Sequence, residues 1–94
     1  MNSNDIATLE EIRELIDEAD KLLLLTLGKR FRAVGFLRKL KNATGIRIED
    51  AKREEAVREL WKRHAKESNV PEELALLMLD FILSESKRIQ NEPQ

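Results

Sequence analysis

Between Asp5 and Asn42 no proline interrupts the chain, and Leu9, Arg13, Ile16, Asp20, Leu23, Leu27, Arg30, Val34, Leu37 and Lys41 follow one another at alternating steps of four and three. That is the period of a coiled-coil seam, and it predicts one very long helix over residues 5–42, ended by the stretch from Asn42 to Gly45. Such a helix is about 57 Å long at 1.5 Å per residue, whereas a compact globule of this chain length is roughly 32 Å across. It must overhang its own domain. An overhanging apolar stripe is best buried by a second copy of the same helix, so the expected architecture is all-α, in an intertwined two-fold homodimer. Gly28 and Gly35 each cost such a helix about 1 kcal/mol of propensity, which predicts that they permit close helix contact.

Proline occurs only at Pro71 and Pro93. A second helix is expected over 49–68, and a third over 71–90 with Pro71 as its first helical residue and Glu72 and Glu73 in its first turn. The last residues, 91–94, read as a frayed tail. With 94 residues the chain makes one domain, 1–94, and a core of that size is only marginally self-sufficient. On the third helix Leu74, Leu77, Met78, Phe81 and Ile82 form the expected apolar stripe, and on the second Trp61 and His64 are placed in the core or at its edge.

Composition then removes whole classes of function. Lys and Arg total 17 against 18 for Asp and Glu, interspersed along the chain, so no basic arm that would track a nucleic-acid backbone is present. There is no cysteine and a lone histidine, His64, which leaves neither a thiolate nor a histidine-built metal site, and no nucleophilic triad. No metal or cofactor is expected. Neither a leader-like N-terminus nor an apolar run of ~20 residues is found, which predicts a cytoplasmic protein without a membrane span.

Four members of the seam are charged: Arg13, Asp20, Arg30 and Lys41. Burying an unpaired charge costs several kcal/mol after relaxation, so packing alone would seldom place them there, and an anionic ligand is one candidate partner. Snorkelling to solvent at the ends of the seam, or pairing with Asp20, is the other. On the second helix, Arg53, Glu54, Val57, Leu60, Trp61 and His64 fall within an arc of roughly 120° of Asp50, which makes the first turn polar on the buried face. Asp50 would equally serve as an N-cap, and Arg53 and Glu54 as a solvated first turn. Ser86 and Gln90 lie one turn apart beyond the apolar stripe of the third helix, two neutral donors that on their own read as surface residues.

Taken together, these residues resemble the all-helical class of chorismate mutase over nearly the whole chain, from Leu9 to Gln90. The opening motif looks like Ile12-Arg13-Glu14-Leu15-Ile16-Asp17-Glu18-Ala19-Asp20, the second like Gly28-Lys29-Arg30, and the third like Leu40-Lys41. The family pattern of Asp, two residues, Arg, Glu is met by Asp50-Ala51-Lys52-Arg53-Glu54, and its closing Ser, three residues, Gln by Ser86-Lys87-Arg88-Ile89-Gln90. There are departures. Arg38 stands where small residues are common, Thr26 interrupts an apolar run, and Lys87 replaces an apolar residue beside the site.

The resemblance implies the rearrangement of chorismate to prephenate in phenylalanine and tyrosine biosynthesis, a single pericyclic step that needs no cofactor and moves no proton. It implies that Arg30 of one subunit and Arg13 of the other grip carboxylates, with Arg53 and Ser86 assisting. Lys41 and Gln90 would face the ether oxygen. Glu54 and Asp50 would address the ring hydroxyl and orient the neighbouring cations. Isochorismate pyruvate lyase, of the same fold, is a second reading, and a non-catalytic helical dimerisation module, in which the seam charges only set register, is a third.

Overall fold

A computed structural model describes residues 7–47 and 50–92. Its elements are α1 (Leu9–Thr44), α2 (Ala51–Glu67) and α3 (Glu72–Gln90), so the described chain is all-helical and its first helix is long. None of these helices is long and apolar enough to cross a membrane. Two compact units divide the chain, residues 1–32 and 33–94.

Each helix end has a local cause. α1 starts at Leu9 because Thr8 and Glu11 cap each other: the Glu11 N–H donates to Thr8 Oγ1 at 3.2 Å, and the Thr8 N–H donates to Glu11 Oε1 at 3.4 Å. The expected start at Asp5 lies outside the described residues, while Ala7 and Thr8 are not helical. At the other end α1 runs two residues past the expected Asn42, because Ala43 and Thr44 continue it. It stops where Gly45 takes φ +73° and donates to the Lys41 carbonyl at 2.8 Å, a left-handed position that favours glycine. Glu49, the other expected start of the second helix, lies outside the described residues. α2 follows Asp50, whose extended backbone and side chain, accepting from the Lys52 N–H at 2.9 Å, make it the N-cap. At the far end of α2, Asn69 (φ +56°) carries the left-handed turn while Val70 N–H reaches back to the Ala65 carbonyl at 2.9 Å. Pro71 precedes α3 as its cap and is not its first helical residue; Glu72 and Glu73 then face the positive end of the helix dipole.

In the unit of residues 33–92, α2 packs against α3. Its buried residues are Val34, Val57, Ala65, Ala75, Leu79 and Ser86, with Leu79 fully enclosed. The core face of α3 therefore follows Ala75, Leu79 and Ser86, with Ile82 half-buried between them. This corrects the expected stripe: Leu74, Leu77 and Phe81 are exposed, Phe81 to 78%, because α2 covers the neighbouring face. His64 is also corrected. It is exposed beside Glu67 at 3.6 Å, and only Trp61 is half-buried. Nor does the tail fray at Asn91: Asn91 N–H donates to the Lys87 carbonyl at 3.0 Å, and the Glu92 carboxylate meets Arg38 at 3.6 Å and Arg88 at 3.5 Å. The Arg38 Nε is buried without a hydrogen-bond partner. Of the expected tail, Pro93 and Gln94 lie outside the described residues.

The unit of residues 7–32 is the first part of α1, and none of its described residues is buried. Leu9, Ile12, Leu15, Ile16, Leu22, Leu23, Leu24 and Leu25 are between 45% and 67% exposed. A Cβ added at Gly28 would meet only the far end of Arg32, at 3.7 Å, and one added at Gly35, in the other unit, would meet nothing within 4 Å. The close helix contact expected at these glycines is thus absent among the described residues.

Candidate active site

The residues expected to act on a ligand fall in both units. Arg13 and Arg30 lie in residues 7–32, where Arg13 is exposed and Arg30 half-buried. Lys41, Asp50, Arg53, Glu54, Ser86 and Gln90 lie in residues 33–92.

Within that second unit one contact brings expected site residues into a common neighbourhood. Lys87 Nζ, from the C-terminal part of α3, lies 2.9 Å from Glu54 Oε1 in the first turn of α2. It ties the end of α2 that carries Asp50, Arg53 and Glu54 to the end of α3 that carries Ser86 and Gln90. A second cross-helix pair, Arg58 to Asp80 at 2.6 Å, follows one turn along α2 and fixes the antiparallel pairing of the two helices. Hydrogen bonding to Asp80, reinforced by its charge, raises the Arg58 guanidinium above its ordinary value.

Some of these side chains are already engaged. Asp50 accepts from the Lys52 N–H through Oδ1, which leaves its second oxygen for a ligand. Ser86 is buried, and its hydroxyl donates to the Ile82 carbonyl at 2.7 Å. To donate to a ligand it must rotate away from that bond. By contrast, Arg13, Lys41, Arg53 and Gln90 make no side-chain hydrogen bond or ion pair among the described residues. Of these, Lys41 and Gln90 are half-buried, Arg13 and Arg53 exposed.

Chemically, this group offers cations, two carboxylates and neutral donors. Guanidinium and ammonium groups are suited to binding carboxylates and to stabilising charge that develops on an oxygen. The partner of Glu54 is what sequence reasoning missed: Lys87 stood out only as a departure from an apolar position. The signal was opposite charge at helix ends that an antiparallel α2–α3 pair must bring together.

A match to a known family agrees with that chemistry. The sequence pattern of the family described as chorismate mutase type II matches residues 12–91. A chorismate mutase of Methanocaldococcus jannaschii is 30% identical over 87 residues, which span 93% of this chain and 88% of that protein. No solved structure gives a significant match. The chain belongs to the chorismate mutase type II family, and with it to the isomerases.

Proposed function

We propose that the chain rearranges chorismate to prephenate as a cytoplasmic homodimer serving phenylalanine and tyrosine biosynthesis, with each site shared between two chains. The observation that carries the assignment of residues is the Glu54–Lys87 pair, which gathers Asp50, Arg53, Glu54, Ser86 and Gln90 at one end of the α2–α3 layer. In support of the dimer stands the apolar surface of residues 7–32, together with the exposed Leu74, Leu77 and Phe81 of α3. Exposed apolar surface of this kind marks association surfaces.

In this reading catalysis consists of selecting the compact, chair-like conformer of a dicarboxylate and stabilising the charge that develops on its ether oxygen. One carbon–oxygen bond breaks as one carbon–carbon bond forms, so no proton need be transferred and no covalent intermediate arises. Arg30 and the Arg13 of the second chain take the carboxylates, because a planar guanidinium matches a carboxylate bidentately. Arg53 assists them, and Ser86 can do so once its hydroxyl leaves Ile82. Lys41 and Gln90, without side-chain partners among the described residues, address the ether oxygen as donors. Glu54 and the free oxygen of Asp50 accept from the ring hydroxyl and balance the cations.

The test is complementation. Arg13→Ala and Lys41→Ala chains, each expected to lose about 100-fold or more in kcat, are co-refolded and assayed by ultraviolet loss of chorismate. In a mixed dimer one site collects both lesions and the other is intact. With random pairing, half the dimers are mixed and about a quarter of wild-type activity returns. Mixed dimers as inactive as their parents would show that Arg13 serves its own chain or only the structure.

A further inference from the structure

We propose that Lys87 is a positioning residue for the rearrangement, holding the Glu54 carboxylate by one oxygen so that the other is presented to the ring hydroxyl of the substrate. The inference deepens the reading above and rests on it for the role of Glu54.

The contact is short, 2.9 Å from Lys87 Nζ to Glu54 Oε1, and it joins two helices. Its side chains are 48% and 40% exposed, so the pair is too well hydrated to contribute much to stability. The Arg58–Asp80 pair, at 2.6 Å, already fastens the same two helices one turn along α2. What distinguishes the Glu54–Lys87 pair is its place. Lys87 directly follows Ser86 and precedes Gln90 on α3, and Glu54 directly follows Arg53 on α2, so the pair lies among the residues assigned to substrate.

Two physical consequences follow for Glu54. A glutamate has several rotatable bonds, and an ion pair that orders it in the free enzyme removes that ordering from the cost of binding. The near contact of Lys87 is with Oε1, and a carboxylate has a second oxygen, Oε2, that can accept from a hydroxyl. A bare carboxylate at this place would also repel a dicarboxylate substrate, and the ammonium beside it offsets that repulsion. Both effects concern binding and orientation more than bond breaking, so they predict a change mainly in KM.

The experiment is steady-state kinetics of chorismate loss with the full chain and five variants. Lys87→Gln is expected to raise KM about fivefold with kcat within about twofold, and Lys87→Arg to stay within about twofold of wild type in both. Asp80→Asn, which breaks the other cross-helix pair, should leave both constants unchanged. In a Glu54→Gln background, Lys87→Gln should add no further loss, because its target is already gone. Unchanged constants in Lys87→Gln overturn the inference, as does an undiminished effect of Lys87→Gln when Glu54 is already glutamine, which would mean that Lys87 meets the substrate itself. A loss in Asp80→Asn equal to that in Lys87→Gln would reduce both pairs to helix fasteners and overturn it too. An inactive wild-type chain overturns the functional reading and this inference together, whereas the other adverse results leave the activity standing and remove only Lys87.

Discussion

Residues 33–92 contain every buried side chain among the described residues, and residues 7–32 contain none, although the second set is the richer in leucine. Hydrophobic content therefore does not decide burial here. Asn69 and Val70 close a tight turn that returns α3 along α2, so Val57 and Ala65 find Ala75 and Leu79 nearby in sequence. A single helix has nothing to fold back on. The lesson is that one region is stabilised by its own chain, while the other carries apolar surface whose burial must come from elsewhere, and the proposed homodimer supplies it.

The sharpest way to break this contrast is to charge the exposed region. Leu23→Glu, 55% exposed in the single chain, would be a harmless surface change if nothing covered it. With a second chain on it, an unpaired carboxylate is buried at a cost of several kcal/mol. The expected result is a monomer at micromolar concentration by sedimentation, together with loss of chorismate turnover.

Next in size is Leu79→Ala in the other region. Leu79 is fully enclosed between α2 and α3, and its truncation should cost about 2–5 kcal/mol in urea unfolding, whatever the state of assembly. If Leu79→Ala and Leu23→Glu each shift stability with protein concentration in the same way, the two regions are not separate in origin and the contrast fails.

The smallest effects come from the two glycines, one in each region. Gly35→Ala meets nothing within 4 Å and should stabilise by up to about 1 kcal/mol, a few degrees in Tm. Gly28→Ala would gain as much in an isolated chain. A loss at Gly28 with a gain at Gly35, read by thermal unfolding, would place a second chain against residues 7–32.

The helices were legible because their signals are local. Asp50 as cap, Gly45 as stop and the unbroken period from Leu9 to Lys41 act within a turn or two of chain, and the motif around Asp50, Arg53 and Glu54 could be read without knowing what it faced. The start at Leu9 is local too, since Thr8 and Glu11 form a capping box within one turn of chain. Which face of α3 would be covered was not legible. Leu74, Leu77 and Phe81 are as apolar as Leu79, and periodicity favours the stripe that they form with Met78 and Ile82; α2 covers the adjacent stripe, a choice made by the turn at Asn69 and the antiparallel pairing of Arg58 with Asp80. The same is true of Glu54 and Ser86. Their chemical type can be read from the residues, but the partner of the first, Lys87, and the burial of the second depend on how two helices meet. Local rules fix where a helix begins and ends because their energies act between neighbours in the chain, whereas the side on which it is covered, and the charge that ends beside its carboxylate, are set by contacts between residues far apart in sequence, which only the tertiary structure decides.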